Sequence, residues 1–292
     1  MGPYLLRVIW VLAGLSTTLL GLRLFSKLWR RRPLWWDDHV LVAAWISLMV
    51  SIALQTAGVH HGLGRPYHTM DDDRLVTMGV LSISAGFGSI LATSWSKTSF
   101  ALSLLRISTT GRVRIAVWVI IISTNLVFGA LGLMQWIQCW PFAKLWNSKM
   151  EGSCWPSYIF QGYGAFASAF SGLADITLAI LPWKIVWAVA INKKDKIGAL
   201  LAMSMGVFAG IMPFLKIMTL HTIGNRNTTT VELFIYGTAE PAAAIMAASI
   251  PALRALIQQD GHKKPVRFVD MSGKNLASPA SSFQVISRNV RT

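Results

Sequence analysis

The sequence is organised as long uncharged stretches separated by short basic bursts. Val40 to Val59, Leu75 to Ser96, Ile115 to Ala143 and Ile197 to Leu215 contain no Asp, Glu, Lys or Arg. Cys154 to Trp183 carries one charge, Asp175. Two further runs are less clean: Val8 to Leu22 lies between Arg7 and Arg23, and Val231 to Ile257 is interrupted by Glu232, Glu240 and Arg254. A helix needs about 20 mostly apolar residues to cross the hydrocarbon layer. The pattern therefore predicts seven membrane helices, near 4–25, 40–59, 75–105, 113–136, 158–189, 197–222 and 231–257. The expected fold class is an all-α seven-helix transmembrane bundle over 1–257. From Gln258 the apolar periodicity stops, and 258–292, rich in Ser, Lys, Arg and Asn, is expected to be a disordered basic cytosolic tail.

Composition agrees. Of 292 residues 53% are hydrophobic and 13% are charged, about half the charge of a soluble domain. The net charge of +15 would suit a nucleic-acid binder if it were patched on one surface. It is distributed between apolar runs instead, so the expected partner is the lipid bilayer and no nucleic acid. Basic residues favour the cytoplasmic side of a membrane helix. With the N-terminus outside, 19 Lys and Arg fall on the inner side and 6 on the outer, which predicts N-terminus out and C-terminus in. The start of the chain has little positive charge and no A-x-A-like cleavage site, and is read as helix one. Two features fit that direction. Asn227-Thr228-Thr229 is a glycosylation sequon in a predicted outer loop. Cys139 and Cys154 share another, where an oxidising compartment permits a disulfide. The protein is expected to be a multi-pass component of the plasma membrane or an endomembrane.

Four charges fall inside the spans: Lys97, Asp175, Lys216 and Glu240. A charge in hydrocarbon is costly unless it is partnered or faces a polar interior. Lys97 precedes Arg106 by nine residues and Asp175 precedes Lys184 by nine, both on inward-running helices. At 1.5 Å per residue they share a depth. Lys216 and Glu240 both fall in the outer half. The expectation is two opposite-sign pairs, Lys97 with Asp175 and Lys216 with Glu240, either fixing helix register or lining a polar ligand cavity. Ser82, Gly86, Ser89, Thr93 and Lys97 recur at steps of three or four, as do Gly164, Ser168, Ser171 and Asp175. Such faces let helices approach and hydroxyls bond across. Gly206 and Gly210 form G-x-x-x-G, and Glu240-Pro241 sets an acid beside freed carbonyls. His60, His61, His68 and Asp71 to Asp73 cluster, but their spacing matches no metal site, so none is expected.

Several segments together resemble the fungal rhodopsin-domain integral membrane proteins, which include receptor-like proteins of plant-pathogenic fungi. They are Trp36-Asp37-Asp38-His39, Gly58 to His68 (GVHHGLGRPYH), Trp95 to Ile107 (WSKTSFALSLLRI), Cys139 to Cys154 with Trp146 and Gly152, Ala174 to Trp183 (ADITLAILPW), and Glu240 with Pro251 to Arg254 (PALR). The resemblance spans about residues 20 to 257. It implies a seven-helix fold with an outer disulfide, a receptor-like role and an association with secondary metabolism. Known rhodopsins hold retinal on a lysine of the last helix, and 231–257 contains none. No cofactor is therefore expected, and retinal is not. The D-R-Y and N-P-x-x-Y patterns of animal receptors are missing too, so coupling to a cytosolic signalling protein rests on the resemblance alone.

Three functional readings follow, in order. The first is a receptor-like protein binding a small apolar ligand, with Lys97, Asp175, Lys216 and Glu240 in a polar cavity. The second is a membrane-embedded cyclase or isomerase of secondary metabolism using Asp175, Glu240 and Lys97, since burial can tune a carboxyl into a proton donor. The third is a small-molecule transporter, for which no inverted repeat is visible.

Overall fold

The structure, a computed structural model, describes residues 2–29, 31, 33–64, 72–107, 111–147, 150–188, 210–218 and 227–261. The expected basic tail beyond residue 261 lies outside the described residues, as do His68, Asp71 and Gly206. The helices are α1 (Gly2–Trp29), α2 (Trp36–His61), α3 (Asp72–Ile107), α4 (Gly111–Ile137), α5 (Ser157–Ala188), α6 (210–218) and α7 (Asn227–Gly261). A two-residue hairpin pairs β1 (Cys139–Trp140) with β2 (Ser153–Cys154). Among the described residues, six helices are long and apolar enough to cross a membrane. The protein is an all-α integral, multi-pass membrane protein. The chain divides into two units, Met1–Arg254 and Ala255–Thr292, and of the second only the end of α7 is described.

α1, α2, α3, α4 and α7 extend past their predicted spans by up to about one turn at each end, because helical hydrogen bonding continues into the polar layer. α2 begins with Asp37 and Asp38 in its first turn, where carboxylates oppose the positive end of the helix dipole. It ends at Gly62, whose φ of 118° is open to glycine at no steric cost; Leu63 N–H then donates to Gly58 O at 2.9 Å. The sequon Asn227-Thr228-Thr229, expected in a loop, forms the first turn of α7.

The burial pattern is that of a protein solvated by lipid. Large apolar side chains such as Leu15, Ile46, Val50, Leu126 and Leu133 are exposed, while Arg23, Lys97, Gln55 and Glu240 are enclosed. Leu5 and Ile9 of α1, Leu41, Leu48 and Ile52 of α2, and Ala242 and Ile245 of α7 form one apolar cluster. α7 is buried along Thr238 to Ser249, so it is the central element. Hydroxyls join helices where small residues bring backbones close: Ser47 donates to Gly88 O at 2.9 Å and Ser51 to Ala85 O at 2.7 Å, linking α2 to α3. α6 meets α5 at a pair of glycines. A Cβ on Gly172 would stand 3.0 Å from Gly210 O, and one on Gly210 3.4 Å from Gly172 O.

The Cys139–Cys154 disulfide is formed. It anchors the loop between α4 and α5, whose Trp146 rests on α3 so closely that a Cβ on Gly79 would lie 2.9 Å from the Trp146 Cβ.

Candidate functional site

Three features lie in order along the bundle. Nearest the disulfide is a cavity, below it a buried ion triad, and at the opposite end an ion cage.

The cavity has a volume of about 260 Å³, near the lower limit for small-molecule pockets. Gln55 of α2 and Ser82, Gly86 and Ser89 of α3 form one wall. Leu131, Gln135 and Gln138 of α4 and Phe160, Gly164 and Ser168 of α5 form another. Lys216 of α6 and Leu233, Phe234 and Gly237 of α7 complete it. Gln135 Nε2 donates to Ile83 O at 2.8 Å, which leaves its carbonyl oxygen for another partner. Ser82 Oγ, Gln135 Oε1 and Thr124 Oγ1 are buried without a hydrogen-bond partner among the described residues. Two of the three, Ser82 and Gln135, line the cavity. A buried polar atom left unpaired costs about 1–3 kcal/mol, so the cavity wall is primed for a polar contact.

The floor is set by a proline. Pro241 cannot donate to the carbonyl four residues earlier, which frees Gly237 O. Ser89 Oγ of α3 takes that carbonyl at 2.6 Å. About one to two turns deeper on these helices stand the charges. Lys97 of α3 pairs with Asp175 of α5, as depth counting predicts. Its Nζ also lies 3.4 Å from Glu240 Oε1 of α7, and Ser171 of α5 donates to the same oxygen. Lys97 is 2% exposed and Glu240 1%, so the three charges are screened by protein alone. The expected Lys216–Glu240 pair is not formed: Glu240 joins Lys97, and Lys216 lies on the cavity wall with no ion pair among the described residues. None of Lys97, Asp175 and Glu240 lines the cavity.

The cage was hidden in the sequence, where Arg23 and Lys27 count as loop charges. Arg23, 1% exposed, donates to Asp38 Oδ1 at 3.0 Å, Asp37 Oδ2 at 2.7 Å and the Ala248 carbonyl of α7 at 2.5 Å. Lys27 holds Asp38 at 2.5 Å. Ser99 and Ser103 of α3 donate to the Asp37 backbone carbonyl and carboxylate at 2.6 and 3.1 Å. The spacing of Arg23 and Lys27, four apart on one helical face, opposite two adjacent acids was the signal available. Beside the cage, Arg106 lies 4.7 Å over the Trp35 ring, a cation–π contact. His60 and His61 end α2 and Asp72 and Asp73 open α3; no cluster of three metal-ligating side chains occurs among the described residues.

Comparison with known proteins bears on both fold and cofactor. No curated protein matches the sequence. A family model described as the fungal rhodopsin domain matches residues 22–259, which takes in the cage, the triad and the cavity. The match overturns the expectation of no cofactor and no retinal, because a rhodopsin-domain family implies a retinal chromophore. The lysine on the cavity wall is Lys216 of α6. By this match across most of its length, the chain belongs to the fungal rhodopsin domain family.

Proposed function

We propose that this protein is a receptor-like membrane protein whose cavity takes a small, mainly apolar ligand with one polar end. The observation that carries the reading is the cavity itself: apolar walls from Ile83, Ile90, Leu131 and Phe160, with Lys216 and the unpartnered Ser82 and Gln135 atoms set among them. The N-terminus and the disulfide end face outward, and the cage end faces the cytosol. Ligand enters between the outer ends of the helices. Contact with α3, α5 and α7 bears directly on the triad, because Ser89, Ser168 and Gly237 of the cavity lie about one to two turns from Lys97, Ser171 and Glu240. Beyond the triad, α3 and α7 lead to the cage and to the short basic inner connections that a cytosolic signalling protein would read.

The chromophore that the family implies fits the same place. α7 contains no lysine and Lys97 is committed to two carboxylates, so Lys216 is the cavity-wall amine that would hold a carbonyl-bearing group against the apolar walls. When bound, such a group supplies light absorption. The enzyme reading is the weaker one, because its three candidate residues, Asp175, Glu240 and Lys97, lie beneath the cavity and do not border it.

The test is a fluorescent reporter at the inner end of α3, on an Arg106→Cys variant in lipid nanodiscs. The purified protein is exposed to retinal and to a panel of small apolar ligands. A ligand-dependent change that disappears in Gly164→Phe supports a receptor. Turnover of a ligand without any reporter change, abolished by Glu240→Gln, would instead establish the enzyme.

A further inference from the structure

Resting on the reading of the cavity as a ligand site, we infer that its ligands include amphiphiles with an anionic oxygen head, a carboxylate above all, seated on the Lys216 ammonium. The charge of the cavity wall decides the class. Every other polar group lining it is neutral: Gln55, Ser82, Ser89, Gln135, Gln138 and Ser168. Lys216 is half-buried and has no ion pair among the described residues. A cation at membrane depth seeks an anion or a route to water. A surplus acid stands in the triad, where two carboxylates share one ammonium. It cannot serve. Gly210 of α6 stands at the depth of Asp175, since a Cβ there would lie 3.6 Å from the Asp175 Cβ. Lys216 is six residues further along the same helix, about 9 Å higher by helical rise. The surplus carboxylate is also held by Lys97 and Ser171.

The cavity therefore offers one positive end and apolar walls for a tail. A carboxylate on a short acyl chain satisfies both. An alcohol would leave the ammonium unpaired, and an amine would repel it. A carbonyl-bearing chromophore needs the same lysine uncharged, so the two ligands exclude one another.

The experiment compares decanoate, decanol and decylamine binding to the full chain in phosphatidylcholine nanodiscs, read as shifts in thermal unfolding and by competition. Decanoate should bind about tenfold or more tighter than decanol, and decylamine least. Lys216→Gln should remove the gap between decanoate and decanol, Lys216→Arg should keep it, and Lys216→Glu should favour decylamine. Phosphatidylglycerol nanodiscs separate the sources of the anion. Competition there makes a lipid phosphate head the occupant, and its absence makes a free acid the occupant; both support the anionic class. Equal binding of decanoate and decanol, both blocked by Gly164→Phe, would overturn the charge preference and leave the cavity reading standing. Binding of all three probes unaffected by Gly164→Phe would overturn both. Unfolding of each variant at the wild-type temperature without probe shows that the fold is intact.

Discussion

At the scale of single residues, the arithmetic of the triad makes its members unequal. Two acids share one base, so Lys97 is the only cation either carboxylate has at contact distance among the described residues. Replacing Lys97 by Met strands two buried negative charges, and breaking a buried pair from one side costs about 3–5 kcal/mol. Asp175→Asn or Glu240→Gln leaves the ammonium one carboxylate and should cost clearly less. Thermal unfolding in detergent ranks them; equal losses for all three would mean that the charges do not act as one cluster. The same residues show what depth counting along a sequence can resolve. Lys97 and Asp175 were legible because each could be measured from a basic residue nearby. Glu240 was not, because it was counted from an assumed start at residue 231. α7 begins at Asn227, one turn earlier, and that turn carries Glu240 about 6 Å deeper, toward the level of Lys97. The unpartnered Ser82 and Gln135 atoms had no sequence signal, since a polar residue on a helix does not disclose whether its neighbour supplies a donor.

At the scale of elements, the positions of the six long helices were legible because exclusion of water leaves long uncharged runs little alternative to helix, while the expected span 197–222 lies outside the described residues except for 210–218. Helix ends were not, because charges on a terminal turn look like loop charges. α1 extends to Trp29 and α2 starts at Trp36, so Arg23, Lys27, Asp37 and Asp38 are helical residues facing one another. Within that cage Arg23 ties α1 to both α2 and α7, whereas Lys27 reaches only α2 among the described residues. Arg23→Ala should therefore destabilise more than Lys27→Ala. Arg23→Lys should recover little of the loss, because an ammonium cannot make the spread of contacts that the planar guanidinium makes. Unfolding midpoints of the three variants in one detergent give the ranking, and rescue by lysine would reduce the cage to a simple charge balance.

For the whole molecule, the family match and the helix pattern establish the bundle, and its direction in the membrane remains a matter of charge. Arg23 and Lys27 are neutralised internally by Asp37 and Asp38, so they are poor witnesses to topology. Setting them aside still leaves the cage side with most of the Lys and Arg, and positive charge in short connections is what retains them in the cytosol. The disulfide supports the proposed direction by a different route, since a bridge persists where the compartment is oxidising. By the chain-entropy estimate a loop of this length is worth about 3 kcal/mol, so a Cys139→Ala, Cys154→Ala double variant should unfold earlier. A lower midpoint would not by itself report orientation, and surface labelling does. With the native cysteines bridged, Lys149→Cys should react with a membrane-impermeant maleimide on sealed membranes whose outer face is exposed. Lys194→Cys should react only after permeabilisation. The reverse order would put the cavity mouth on the cytosolic side, turn the basic connections outward, and remove the route by which ligand and signal are assigned to opposite faces.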